Sequence, residues 1–170
     1  MTEPPRPERF EQRDLTEAAF RDVDLSRARF EDVRFDGATI IDASATSAEL
    51  RDIDCSRARL TDAKAQQVEI VDVDFTDARI EDCTFERASL RDVSFAGASL
   101  SDVSLAGAKL EDVDGRGLTL TDANLAGAEL EDVDLSSVSL RGCTITGLTI
   151  DGVRIDELLA RAVTPASEEG

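Results

Sequence analysis

The chain contains no histidine, no tryptophan and no tyrosine. Without histidine there is no Ser–His–Asp triad, no imidazole base and no imidazole metal ligand. Cations are scarce: 19 Lys and Arg stand against 37 Asp and Glu, so the 170 residues carry a formal charge of -18. A protein that binds nucleic acid directly needs cations to neutralise phosphate, and anionic membranes attract the same side chains. Neither is expected as a direct partner. No apolar run reaches the ~20 residues of a membrane-spanning helix. The opening MTEPPRPERF lacks the apolar core of a secretory signal, so a cytoplasmic location is expected. Few aromatic residues and many charges are the composition of disorder. Against that, 41% of the residues are hydrophobic, and their spacing decides the matter.

The spacing is five. From Phe10 to Ile155 every fifth residue forms a column of 30 positions, of which 29 are apolar; Gly115 alone departs. All seven phenylalanines lie in it. Two residues earlier, from Ala18 to Val153, the 28 positions hold only Ala, Val, Ile, Leu or Cys. A helix turning about 100° per residue would smear a five-residue step around its axis. A straight strand alternates its faces and would flip the step outward. A chain that turns a corner every five residues keeps both positions inward, which is the signature of a solenoid.

A second beat counts the corners. The inner position alternates between Ala and a larger residue, as in Ala88, Val93, Ala98, Val103, Ala108 and Val113. Aspartate recurs every ten residues from Asp22 through Asp132, except that Gly and other residues take the intervening slots. Three corners would stack residue n on n+15 and mix Ala with Val; four corners stack n on n+20 and keep each ladder uniform. The spacing therefore predicts a four-sided coil of 20 residues, with Ala inside two opposite faces and Val inside the other two.

Segments such as ANLAGAEL (123–130), VSFAGASL (93–100) and VDLSRARF (23–30) resemble the pentapeptide repeat proteins. Their loose motif is a small residue, Asp or Asn, Leu or Phe, a polar residue, then often Gly. The resemblance spans about residues 8–157. It implies an all-β, right-handed quadrilateral parallel β-helix; the right hand comes from the resemblance alone. The expected boundaries are a disordered segment at 1–7, the β-helix at 8–155, a short C-terminal helix at 156–163 and a disordered tail at 164–170.

The corners carry their own chemistry. Gly lies two residues after the column at 37, 97, 107, 117, 127, 142, 147 and 152, where a tight turn is cheap. Asp holds the same slot on alternate faces, where its carboxylate is expected to accept a hydrogen bond from the backbone two residues on. Repulsion between stacked Asp, about 0.9 kcal/mol per pair at ~4.8 Å in water, is comparable to the ~1 kcal/mol of a turn hydrogen bond. The ladder can thus persist for structural reasons alone. Charge is uneven, however: residues 1–91 hold 22 acidic and 14 basic residues, and residues 92–170 hold 15 and 5. The candidate partner-binding carboxylates are therefore Asp82, Asp92, Asp102, Asp112, Asp122 and Asp132, with Asp114 and Asp134 beside them.

Two irregularities interrupt the core. Ala45 and Ala65 stack on one face and thin it, leaving Phe75 or Phe85 to lean in. The column is empty at Gly115, where Leu118 replaces the usual Ala or Val and is expected to fill part of the gap. Cys55, Cys83 and Cys143 occupy inward positions and are read as small core residues in a reducing compartment. They have no CxxC spacing, no metal role is expected, and there is no phosphate-binding loop of the GxxxxGKS type. Repeated carboxylates in near-identical settings do not make the unequal acid–base pair of catalysis. The chain is expected to be no enzyme and to need no cofactor.

After Ile155 the beat ends. Ile155, Leu158, Leu159, Ala162 and Val163 follow helical spacing, with Asp156 placed as N-cap. This helix is either a cap on the open end of the coil, a homodimer contact through Ile155, Leu158, Leu159 and Ala162, or both. Some pentapeptide repeat proteins inhibit DNA gyrase or protect it from quinolones and other topoisomerase poisons. The resemblance to those acidic members implies a DNA mimic that binds DNA gyrase or another type II topoisomerase. The chain runs without the inserted loops that some protective members use. The competing reading is a structural or interaction scaffold.

Overall fold

The computed structural model describes residues 8–163; the terminal segments 1–7 and 164–170, for which disorder is expected, lie outside the described residues. The strands are β1 (Arg9–Asp14), β2 (Ala19–Arg21), β3 (Arg29–Arg34), β4 (Thr39–Ile41), β5 (Glu49–Asp54), β6 (Arg59–Thr61), β7 (Glu69–Asp74) and β8 (Arg79–Glu81). They continue as β9 (Ser89–Ser94), β10 (Ser99–Ser101), β11 (Lys109–Asp114), β12 (Thr119–Thr121), β13 (Glu129–Glu131), β14 (Ser139–Arg141), β15 (Thr149–Ile150) and β16 (Val153–Arg154). Helix α1 (Ile155–Val163) closes the described chain.

Odd-numbered strands β1 to β15 stack in parallel in one sheet, with β16 at its end, and β2 to β14 stack in a second sheet. Every parallel pairing joins residue n to n+20: Phe10 to Phe30, Leu50 to Ile70, Leu100 to Leu120. Single bridges from Asp24 to Ser44, Lys64, Thr84, Ser104, Asn124 and Thr144 hold a further side in the same register. The fold is a right-handed four-sided β-helix of about seven coils. At ~4.8 Å per coil the rod is roughly 34 Å long. The 20-residue coil expected from the Ala/Val and Asp beats is the one observed, and Phe75 stacks on Phe95 with ring centroids 5.2 Å apart.

Two kinds of corner alternate. At one kind an i→i+3 hydrogen bond closes the turn, as from Ala18 N–H to the Leu15 carbonyl (3.0 Å) and from Ala98 N–H to the Phe95 carbonyl (3.0 Å). The third residue of these turns has φ near +60°, as at Glu17 (56°) and Gly97 (67°), which is the type II requirement that favours Gly. The other corners have no such bond. Their left-handed residue is Asp, from Asp22 (54°) to Asp132 (52°), a residue that tolerates this region better than most.

The interior is apolar. Both inward positions are buried through the central coils, and among the described residues no polar or charged residue is buried. Each fully buried Leu, Ile, Val or Phe contributes about 1.5–3 kcal/mol. Burial along the column is not complete: Phe10, Leu15, Phe20 and Leu25 are only half-buried at the open first coil, and Leu140 is 48% exposed near the last. End coils lack a neighbour on one side, so the pattern that buries a residue mid-rod leaves it wet there. Cys55 and Cys83 are buried, Cys143 is half-buried, and all three are free thiols. Burial pushes the Cys83 thiol up to about 11 and raises Cys55 further still.

The last five-residue unit departs from the coil. Asp151 and Gly152 both have φ > 0 (48° and 75°), and β15 and β16 pair antiparallel across them. An Asp-Gly pair is the strongest signal for such a two-residue reversal. The chain therefore turns back at Ile150 instead of running as a parallel coil to Ile155, and Val153, expected inward, is 52% exposed.

Candidate functional site

The ten-residue Asp beat becomes two straight rows. Asp82, Asp102 and Asp122 continue the row of Asp22, Asp42 and Asp62 along one corner, and Asp92, Asp112 and Asp132 continue that of Asp32, Asp52 and Asp72 along the diagonally opposite one. Their φ values lie between 52° and 55°. All six carboxylates are exposed, and none forms an ion pair among the described residues. The backbone holds the first row in place: the N–H of Asp82, Asp102 and Asp122 donates to the carbonyls of Ser101 (3.1 Å), Thr121 (3.0 Å) and Arg141 (2.8 Å) in the next coil. The row ends at Gly142, where a β-carbon would stand 2.1 Å from Asp122 Oδ1; the Asp122 carboxylate occupies the space that a side chain would need.

These Asp side chains do not accept the turn hydrogen bonds expected of them. A second acidic set does so, placed just before the column on the hydrogen-bonded corners. Asp54 Oδ1 accepts from Ser56 N–H (3.0 Å), Asp74 from Thr76 (2.8 Å), Asp114 from Arg116 (3.1 Å) and Asp134 from Ser136 (2.8 Å). For Asp54, Asp74 and Asp134 the signal was present as Asp followed two residues later by Ser or Thr; Asp114, followed by Arg116, lacks it. A left-handed residue points its side chain away from the turn, whereas the residue entering the turn points along it. The two sets therefore differ chemically. Arg116 donates through Nε (2.8 Å) and Nη2 to Asp114 and lies 3.8 Å from Asp134. Its hydrogen bond holds the Asp114 carboxyl below the usual range, and the Ser136 donors do the same for Asp134. Asp114 and Asp134 are thus anchored and partly neutralised, while the six corner carboxylates project freely.

The first half of the rod mixes signs. Arg29 binds Glu49, Arg57 binds Asp36, and Arg51 reaches Glu69 at 2.8 Å. Beyond residue 91 the basic side chains are few, and Lys109 (3.1 Å from Glu129) and Arg116 answer two of the coils.

The C-terminal end is the apolar counterpart. Leu158 (53%) and Leu159 (48%) are exposed on α1, as are Val153 in the strand before it, Leu140 on β14 and Ala162. Ile155 instead packs half-buried against the core, and its N–H donates to Leu148 (3.0 Å). Asp156 Oδ2 accepts from Gly147 N–H (2.9 Å) and Oδ1 from Glu157 N–H (3.0 Å), tying the helix to the last corner. Arg154 and these donors hold its carboxyl far below the usual range. Leu140 lies in the column and Val153 in the position two before it, and both positions point inward in a complete coil, so spacing alone does not reveal their exposure.

Among the described residues no group of acidic and cysteine side chains is arranged to hold a metal, and no helix is long and apolar enough to cross a membrane. The repeated coil, left-handed corners and inward column define a solenoid of short repeats. The family model for pentapeptide repeats, described as eight copies, matches residues 14–52, 40–77, 78–117 and 119–155, and the chain belongs to the pentapeptide repeat family. Among solved structures, a pentapeptide repeat protein of the Arabidopsis thaliana thylakoid lumen is 25% identical, with a TM-score of 0.54, over 58% of this chain and 68% of that one. A trypsin-treated variant of QnrB1, a plasmid-mediated fluoroquinolone resistance protein, is 18% identical, with a TM-score of 0.53, over 91% and 94%. The second likeness is one of fold. No curated protein matches the chain by sequence.

Proposed function

We propose that this protein is a non-catalytic cytoplasmic DNA mimic that binds a type II topoisomerase, DNA gyrase first among them. In this reading it inhibits the enzyme or protects it from poisons such as quinolones. One observation carries the proposal: two rows of exposed, unpaired aspartates run along opposite corners of a rigid rod. At ~4.8 Å per coil, two rows present one carboxylate per ~2.4 Å of axis; duplex DNA presents one charge per ~1.7 Å. A basic saddle shaped for a duplex would attract such a rod over a distance and be blocked by it. QnrB1, described as a fluoroquinolone resistance protein, shares the fold, which makes gyrase the first partner to test. The exposed Leu158 and Leu159 support a homodimer through the C-terminal end, which would double the length of the rod.

The scaffold reading rests on a different observation. Asp suits the left-handed corner on conformational grounds, so the rows have a local cause whatever they bind. Supercoiling by gyrase with increasing amounts of the protein separates the two. Inhibition, or relief of quinolone-induced cleavage, supports the mimic; no effect on either supports the scaffold.

A further inference from the structure

We propose that the hollow beside Gly115 is a binding site for a small, flat, uncharged aromatic molecule, independent of the acidic surface. Inward residues twenty apart form one ladder, Phe75, Phe95, Gly115 and Leu135. The rings of Phe75 and Phe95 stack at 5.2 Å with 6° between their planes. The next rung has no side chain, and a cavity of about 270 Å³ opens beside Phe95. Every side chain lining it is hydrocarbon, from Leu100 and Leu110 above to Leu130 and Leu135 below.

The chain does not close this space itself. Leu118 is buried and takes the expected place, yet the cavity persists. A β-carbon at residue 115 would stand 3.0 Å from the Asp134 carbonyl oxygen and 3.7 Å from a Leu135 methyl, so even alanine there would press on the backbone. The other thin place, at Ala45 and Ala65, retains only about 80 Å³ as Phe75 and Phe85 border it. An apolar cavity of roughly 150 Å³ stays dry and admits benzene. The Gly115 cavity exceeds that volume and the alanine gap falls short of it, so among the described residues the site lies at Gly115 and not at the alanine gap. The Phe95 ring offers a partner at the 4.5–7 Å typical of stacked rings. With no polar side chain in the wall, a hydroxyl or amide on the guest would lose its water with little replacement, so hydrocarbons are favoured. Leu140, lining the cavity yet half exposed, marks the way in from the C-terminal end.

The test is a titration of the full chain, with Leu and Val methyls and Phe rings isotopically labelled, by toluene and then by phenol. Saturable shifts centred on Leu118, Leu135, Val138 and Phe95 are expected, with phenol at least about ten-fold weaker. Leu135→Phe puts a ring into the gap and should abolish the toluene shifts, whereas Ala65→Leu should leave them unchanged. If Leu135→Phe does not fold, the wild-type map decides alone. Shifts confined to Leu158 and Leu159, or none that saturate up to the solubility of toluene, would overturn the proposal.

Discussion

A single dihedral angle explains the most prominent residue pattern in this chain. Every corner needs one residue with φ > 0, and on the corners that lack an i→i+3 hydrogen bond that residue is Asp from Asp22 to Asp132, with Gln12 before them and Gly142 after. Replacing it by a β-branched residue forces a strained backbone worth about 1–2 kcal/mol. Asp102→Val should therefore lower the stability measured by chemical denaturation by that amount, whereas Asp102→Asn should leave it nearly unchanged. The turn-accepting carboxylates obey a different rule. Asp114, Asp134 and Asp156 titrate below their ordinary value in the folded chain because each is hydrogen-bonded as an anion. A depressed carboxyl favours the folded state above the unfolded value of about 3.9, and that contribution is lost as pH falls through the lower folded value. Asp156→Asn keeps an acceptor for Gly147 but removes the titration. Its stability should fall less steeply than that of the wild type in urea melts taken from pH 5 downward. An equal slope would show that the Asp156 anion does not stabilise the last corner.

At the scale of the element, each coil side is too short to be stable alone and exists because its neighbours twenty residues away complete it. Defects in the column are accordingly local. Leu118 covers part of the space left by Gly115, and Leu118→Ala should enlarge the cavity and cost about 2–5 kcal/mol, read as a lower midpoint in denaturant. On α1, Leu158 and Leu159 face water in the single chain. Leu158→Asp should convert a dimer to a monomer in light scattering without changing the circular dichroism; a monomeric wild type would remove the dimer from the account. The coil was legible in the sequence because the two inward positions recur 30 and 28 times with almost no exception, and a ten-residue beat distinguishes four corners from three. The rod's end was not. Ile155 lies in phase with the column, so counting alone carries the coil through Asp151-Gly152, whereas the backbone reverses there. Nor did the beat tell which carboxylate of each coil closes a turn, because Asp occurs both at the corner and before it. Asp82 to Asp132 were found for their spacing; their freedom from partners, on which the proposed function depends, is a property of side-chain direction.

For the molecule as a whole, charge is held at fixed intervals along a stacked rod. Residues after 91 carry 15 acidic and 5 basic side chains, and the corner Asp among them are unpaired. Such a surface attracts basic partners most strongly at low salt and is screened over about 10 Å at 0.1 M. The anchored Asp114 and Asp134, shared with Arg116, should contribute less to binding than the free rows. The most direct measurement is gyrase binding and supercoiling inhibition by a variant with Asp102, Asp112, Asp122 and Asp132 all replaced by Asn. Asn tolerates the same left-handed corner, so circular dichroism should be unchanged, and only four charges are lost. The account predicts that this folded variant binds at least about ten-fold more weakly than wild type at low salt, that its affinity depends less steeply on salt, and that duplex DNA competes with the wild type for the enzyme. A folded variant that binds and inhibits as well as the wild type would contradict it.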